Sequence, residues 1–319
     1  MSIRKLRFIA NRIDTAQRVD LILADWLPQE LGRPVSKAKG RKLIMAGAVR
    51  INGRPVRNAA QSVIPGATIE AFVDTGKLFD DATSRDKTFE LSPDRILLED
   101  EDLIIIDKPP GLPSQPTVDE SRDSLLAALR RFLSHRDDVE TPYIGVHHRL
   151  DRDTSGIVMF TKTRRVNAKV GELFSKHRVI KTYQALTVPQ RKLQSRWTVK
   201  NYLGKISARS RPSRYGAVES DGEFAETAFK VIETYSAGLW IEAIPKTGRT
   251  HQIRVHLAEM GLPILGDGIY GSNSKIGLAP RLMLHAARLS FPHPATGIET
   301  SVESPLPADF RKCLDRIRS

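Results

Sequence analysis

The run His148-Arg149-Leu150-Asp151-Arg152-Asp153-Thr154-Ser155-Gly156 sets a histidine, two arginines and two aspartates ahead of a small Thr-Ser-Gly turn. An apolar run, Ile157 to Phe160, follows at once. A solvated loop has no need of a carboxylate flanked so closely by guanidinium groups. A nucleophilic or basic carboxylate does, because adjacent positive charge keeps such a group ionised. The same charges suit a site that receives a polyanion. Two further segments carry chemistry. In Lys181-Thr182-Tyr183-Gln184-Ala185, strand alternation puts Lys181, Tyr183 and Ala185 on one face, although a lone tyrosine is by default core filler. Lys246 to Leu257 reads as a turn at Gly248 leading into a helix N-terminus rich in donors, with Arg249, His251, Gln252 and Arg254 in its first turns. Such an end holds phosphate or carboxylate groups. The bland alternative is an ordinary capped helix with a polar outer face.

Other chemistries fit less well. The chain has 8 histidines, but His147 and His148 are neighbours, and His251 and His256 sit five positions apart. That spacing splays them across a helix instead of aligning them on a metal, so no metal site is expected. No Walker-type phosphate loop appears, and no Gly-x-Gly-x-x-Gly follows a strand. Asp153-Thr154-Ser155-Gly156 is not the Gly-x-Ser-x-Gly of a serine hydrolase. The single cysteine, Cys313, excludes an intramolecular disulfide and any multi-cysteine cluster, and points to a reducing compartment.

The elements that must position these residues can be read from composition and periodicity. A chain of 319 residues with 40% apolar and 27% charged content can bury a core and leaves room for an accessory module. Its 50 Lys+Arg against 37 Asp+Glu leave a formal charge of +13, which favours a polyanionic partner. The longest apolar runs fall far short of the ~20 residues of a membrane-spanning helix. The first residues lack the apolar core of a secretory signal, so a cytoplasmic protein with no membrane partner is expected.

Residues 74–93 have little apolar periodicity and read as a linker between a module at 14–73 and a larger domain at 94–319. In the first module, Val19, Ile22, Leu23, Trp26 and Leu27 have helical spacing. Ser36 caps a second helix carrying Lys37, Lys39, Arg41 and Lys42, and ending at Ala46-Gly47. Asn52-Gly53 between short apolar runs signals a hairpin. Four basic side chains within six positions favour phosphate contact over a merely solvated face. In the larger domain, Ser124 opens a helix to about Leu133, Arg164 to Lys176 and Thr250 to Met260 read helical, and strands dominate elsewhere. Strands outnumber helices without alternating with them, so α+β with a mixed or antiparallel sheet is expected.

Arg18-Val19-Asp20, Ser36, Arg41-Lys42-Leu43-Ile44, Gly47-Ala48-Val49, Ile51-Asn52-Gly53 and Pro65 to Ile69 resemble the small RNA-binding domain of ribosomal protein S-four. Here Gly66-Ala67 stands where that domain usually has Gly-Asp. The rest of the chain resembles the ribosomal large-subunit family of RNA pseudouridine synthases. That resemblance rests on Asp107-Lys108-Pro109-Pro110-Gly111-Leu112, His148 to Gly156, Lys181 to Ala185 and Thr247 to Leu257. It continues through Gly261 to Gly271, His285-Ala286, Phe291 to Pro294 and Pro305-Leu306-Pro307. Two places depart from the family pattern. Gln115-Pro116 replaces His-Pro, and Glu223-Phe224-Ala225-Glu226-Thr227 lacks a common lysine. Both are placed outside the catalytic core.

The resemblance implies that Asp151 is the catalytic aspartate, Tyr183 the active-site tyrosine and Arg254 the basic partner of Asp151. It also implies that Arg149 enters the space vacated by a flipped base. His148, Thr154, Arg249, His251 and Gln252 are expected around the substrate, and Lys37, Arg41 and Lys42 on RNA phosphates. Uridine isomerisation breaks an N-glycosidic bond, turns the uracil and makes a carbon–carbon bond. It involves no redox change, so no cofactor is expected. Asp153 is expected to shape the turn only. The expected enzyme is a monomer acting on large-subunit ribosomal RNA. The alternatives are the same reaction on transfer RNA, or a non-catalytic ribosome-assembly factor.

Overall fold

The structure is a computed structural model that describes residues 3–10, 17–75, 78, 88–116, 123–190, 193–207, 213–271 and 279–318. Two compact units divide the chain, one built on residues up to Thr88, the other on Phe89 to Gln115 and from Asp123 onward.

The N-terminal unit holds β1 (Ile3–Ile9), α1 (Val19–Leu31), α2 (Lys37–Met45), β2 (Val49–Ile51), β3 (Arg54–Pro55) and β4 (Thr68–Asp74). Its sheet has the order β1-β4-β2-β3. Alternation in β4 turns Ile69, Ala71 and Val73 inward. The helical stripe on α1 buries Val19, Ile22, Leu23, Trp26 and Leu27. Ser36 caps α2 as expected, its hydroxyl accepting the Lys39 N–H at 3.2 Å. Asn52 and Gly53 both take positive φ (49° and 77°), the geometry of a tight hairpin turn between β2 and β3. β1 was not legible as a strand. Only Leu6 is buried in it, with Phe8 half-buried, so charge at Arg4, Lys5 and Arg7 hides the alternation.

Arg41 differs from expectation. Its Nε donates to Asp20 Oδ2 at 2.9 Å, and Arg18 holds the same fully buried carboxylate through two more bonds. Burial opposes the Asp20 charge, yet the two arginines hold its carboxyl below the ordinary value. Arg41 therefore anchors α2 to α1, and only its outer edge can meet a phosphate.

The larger unit opens with a 3-10 turn at Pro93–Arg95, then β5 (Ile96–Glu99), β6 (Leu103–Lys108) and α3 (Leu125–Asp137). Next come β7 (Gly145–Val146), β8 (Ser155–Thr161), α4 (Asn167–Ser175), β9 (Ile180–Thr187), β10 (Arg196–Lys205) and β11 (Tyr215–Ala217). The chain finishes with β12 (Glu223–Thr234), β13 (Leu239–Pro245), α5 (Gln252–Glu259), β14 (Leu284–Pro292), β15 (Glu299–Glu303) and α6 (Ala308–Arg318). Phe89 and Leu91, assigned to the linker from sequence, already belong here. Leu91 is buried, and the Phe89 N–H donates to Asp123 at 2.8 Å.

The strands form one 11-stranded sheet with the path β11-β10-β12-β13-β9-β14-β8-β6-β5, β15 on β14 and β7 on β8. Every pair is antiparallel except β8 with β14, so the sheet is mixed, as the strand-rich pattern predicts. All seven residues of β8 are buried, which explains its unbroken apolar run. α6 buries Phe310, Cys313, Leu314 and Ile317 at helical spacing.

The parallel crossing places a tight demand on Gly156, which has φ 108°. A Cβ there would lie 2.2 Å from the Ala286 carbonyl oxygen, in backbone that cannot yield. We expect Gly156→Ala to destabilise the protein by about 3 kcal/mol or more, read in urea titrations, because strain and overlap add. An unchanged midpoint would contradict this account of the β8–β14 contact.

Candidate active site

Asp151 sits in the connection between β7 and β8, and its two chain neighbours are clamped. The Ser114 hydroxyl accepts the Leu150 N–H at 3.0 Å and donates to the Leu150 carbonyl at 2.9 Å. The Arg152 carbonyl accepts from the Gly111 N–H at 2.9 Å and from Lys108 Nζ at 3.0 Å. Lys108 is fully buried and also donates to the carbonyls of Pro109 and Leu112. Burial pushes its ammonium down to about 7. The Lys-Pro-Pro-Gly segment is thus a jig that fixes the backbone on either side of the carboxylate. The turn itself closes through the Thr154 N–H donating to the Asp151 carbonyl at 3.1 Å. Within that turn Asp153 pairs with the neighbouring Arg152 side chain.

The Asp151 carboxylate meets an arginine that is itself held rigidly. Arg254 NH1 donates to Asp151 Oδ2 at 2.9 Å. Its other edge donates twice to Asp267, Nε at 2.8 Å and NH2 at 2.9 Å. The guanidinium also lies over the Tyr270 ring, 5.2 Å from its centroid. Burial works against the Arg254 charge, but Asp267 outweighs it and raises the guanidinium above its ordinary value. Burial would likewise raise the Asp267 carboxyl; Arg254 and the N–H groups of Ile269 and Tyr270 reverse that and hold it low. A planar fork gripped along its Nε–NH2 edge is fixed in orientation, and its NH1 is what meets Asp151.

His251 completes this cluster. Its Nε2 lies 3.7 Å from Asp151 Oδ2, and its Nδ1 lies 2.9 Å from the Tyr270 hydroxyl. The same hydroxyl accepts the Tyr215 N–H at 2.9 Å, which ties His251 to the end of β11. Burial holds the imidazole below its ordinary value, against the pull of Asp151. Its φ of 59° is left-handed, a strained state for a residue that opens a helix.

A cleft of about 620 Å³ surrounds Asp151 and is lined by every site residue that the sequence placed in the larger domain. They contribute differently. Tyr183 is half-buried, and burial followed by the Asp151 charge raises its phenol well above the ordinary value, so it stays protonated. Arg149 spans the mouth, with NH2 donating to Thr250 Oγ1 at 3.3 Å. Arg249 is tied to Glu223 at 2.6 Å and to the Phe224 carbonyl at 3.0 Å.

His148 does not turn a free ring to the cleft: its Nε2 accepts the Met159 N–H at 2.9 Å, and it stacks on Phe174. Burial lowers it to about 3, so it is neutral. The Gln252 amide is engaged within the protein, accepting from Thr247 Oγ1 and the Arg249 N–H and donating to Glu226 and Thr227. The expected donor-rich helix end is therefore partly satisfied by its own Gln252. Thr154 Oγ1 is buried without a hydrogen-bond partner among the described residues. Lys37, Arg41 and Lys42 lie on α2 of the N-terminal unit.

Several lining or supporting groups escaped the sequence reading. Gln115, placed outside the core from sequence, lines the cleft. Lys181, placed from sequence on the Tyr183 face of its strand but given no role, also lines it; its Nζ lies 3.5 Å from the Thr247 carbonyl, and burial lowers its ammonium. Asp267 and Tyr270 sit in the Gly261 to Gly271 segment, and a buried arginine on α5 was the signal that a carboxylate must face it.

An arginine-held carboxylate at the floor of a cation-rimmed cleft, on a mixed sheet, defines an enzyme that works on an anionic substrate. The family described as RNA pseudouridylate synthase matches residues 102–259, and an S4 domain matches residues 23–69. Ribosomal large subunit pseudouridine synthase D of Pseudomonas aeruginosa is 31% identical over 95% of this chain and 92% of its own. The enzyme of that name from Nitrosomonas europaea is 36% identical over 72% and 67%. Human RNA pseudouridylate synthase domain containing 4 superposes with a TM-score of 0.57 at 26% identity, covering 70% of this chain and 92% of that one. The chain belongs to the RNA pseudouridylate synthase family, preceded by an S4 RNA-binding domain, and is an isomerase of uridine in RNA.

Proposed function

We propose that the protein isomerises particular uridines of large-subunit ribosomal RNA, with Asp151 as the group that acts at the ribose. The observation that carries this reading is Asp151 Oδ2 on Arg254 NH1 at 2.9 Å, at the floor of a cleft rimmed by Arg149 and Arg249. One carboxylate serves either as nucleophile at the sugar carbon or as base on the sugar, and Arg254 fixes its orientation through Oδ2. Tyr183 offers a ring to the uracil and a protonated phenol near the sugar. Extruding a base costs a few kcal/mol, and the cations of cleft and S4 domain offset it by neutralising phosphates. Arg149, at the mouth, is placed to fill the gap left in the stem. His251 and Thr154 shape the floor, while His148 and Gln252 hold the surrounding backbone.

The relatives named for the ribosomal large subunit support that substrate. The cleft is complete within one chain, which supports action as a monomer. No described helix is long and apolar enough to cross a membrane, and the reading places the enzyme in the cytoplasm with its RNA. Mapping pseudouridines in RNA from cells with and without the protein tests the substrate. Loss of large-subunit sites is expected; losses confined to transfer RNA would overturn it.

A second expectation concerns α2. Lys37→Ala with Lys42→Ala should weaken RNA binding and reduce the salt slope by about 0.7 for each single-strand phosphate no longer neutralised. Arg41 is left intact because it anchors the fold through Asp20. An unchanged slope would remove α2 from the interface.

A further inference from the structure

On the open face of the sheet, Tyr202 of β10 pairs in register with Phe224 of β12. Their rings meet edge to face, with centroids 5.7 Å apart, and remain 55% and 41% exposed. Two large aromatic rings left in water side by side are not needed to fill this core. Strand alternation puts Lys200, Thr198 and Arg196 on the same face of β10, and Glu226, Ala228 and Lys230 on the same face of β12. The next row from the rings is therefore Lys200, Glu226 and Lys246, about 7 Å along the strands. Both lysines reach toward Glu226, at 3.5 and 2.7 Å, yet their side chains are 58% and 62% exposed. The row after that is uncharged, with Thr198, Ala228 and Ile244, and only the one beyond it carries Arg196, Lys230 and Glu242. Each of the two charged rows sets two cations against one carboxylate, and the one next to the rings is Lys200, Glu226 and Lys246.

This platform adjoins the active site. Arg249, on the cleft, donates to the Phe224 carbonyl at 3.0 Å, and Lys246 lines the same cleft. Exposed aromatic rings beside a track of cations fit one ligand class, an unpaired nucleotide, whose base offers a π-face and whose phosphates offer charge. A paired stem does not fit, because its bases have no free face. We propose that Tyr202 and Phe224 form a stacking platform for an unpaired nucleotide flanking the target uridine, with Lys200 and Lys246 on its phosphates. This rests on the reading of the cleft as an RNA site and adds a preference for targets next to single-stranded RNA.

The test uses the full chain and single-stranded decauridylate carrying 5-iodouridine, a probe whose binding needs no turnover. Irradiation followed by peptide mapping should place crosslinks on Tyr202 or Phe224. Tyr202→Ala with Phe224→Ala should weaken decauridylate binding about tenfold or more, as loss of base stacking does. Tyr202→Phe with Phe224→Tyr keeps the rings and should keep the affinity, which separates stacking from damage to the fold. Affinity for a short RNA duplex should not change. Crosslinks confined to other segments, an unchanged affinity in the double alanine variant, or an equal loss on the duplex would each overturn the platform. So would a wild-type protein that prefers the duplex to decauridylate. If the platform fails while large-subunit pseudouridines still depend on the protein, the proposed function stands without it. On a ribosomal RNA transcript, the double alanine variant should raise KM and hold kcat, since the platform touches no reacting atom.

Discussion

Asp151→Asn lowers isomerisation by at least about a thousandfold and leaves RNA affinity within about a factor of two, on the scale of losing a general base or nucleophile. The amide keeps the size of the carboxylate and can still accept from Arg254 NH1, so the floor of the cleft retains its shape. What it loses is the charge and the electron pair that would act on the ribose. Asp267 continues to grip Arg254 through two bonds, so the arginine is not released into the site. Removing one negative charge from a cation-rimmed cleft gives RNA no reason to leave. Isomerisation frees the hydrogen at uracil C5, so tritium released from RNA labelled there measures turnover directly. A filter or anisotropy assay on the same RNA measures binding. Turnover above a tenth of wild type would remove Asp151 from the chemistry. A parallel collapse of binding would assign it to substrate affinity instead.

The sequence made the cleft legible where the residue type itself announces the chemistry. Asp151 between Arg149 and Arg152, Tyr183 on an alternating strand, and the Thr247 to Leu257 segment were all marked for action, and they converge on one cleft. The strand-rich mixed sheet was likewise readable, because β6 and β8 carry short apolar runs bounded by turn residues. Local patterning was poorer at saying what each side chain does. His148 and Gln252 sit in motif-like runs, yet both satisfy backbone groups, and only tertiary contacts decide that. Arg41 looked like a phosphate ligand because its partner Asp20 lies on the preceding helix. Lys108 entered the sequence reading as part of the Asp107 to Leu112 motif. Its role as a buried clamp depends on carbonyls of Leu112 and Arg152 that periodicity cannot bring together. β1 failed for a different reason: an edge strand with one buried side chain carries no period to detect.

Asp267 shows how much of the site lies beneath the motif. Its carboxylate is fully buried, holds Arg254 with two bonds and so fixes the NH1 that donates to Asp151. Asp267→Asn should therefore act twice. Breaking a buried ion pair from one side should cost about 3 kcal/mol of stability at neutral pH. The native pair holds the Asp267 carboxyl below its ordinary 3.8, so its stabilisation is complete above that value and is lost as pH falls through the lower, folded value. The gap in stability between wild type and variant should accordingly narrow in acid below about pH 3.8. A gap that stayed constant into that range would mean that the ion pair is not what the variant removes. The second effect is on turnover. A guanidinium no longer gripped along one edge can rotate about its stem, and a shift of about 1 Å in an aligned group costs about a hundredfold in rate. Because Asp267 is buried behind Arg254 and does not line the cleft, the loss should fall on kcat with KM nearly unchanged. A purely architectural carboxylate would lower the melting temperature and leave kcat per folded molecule intact. The two roles part on that measurement, and the geometry of Arg254 predicts the first.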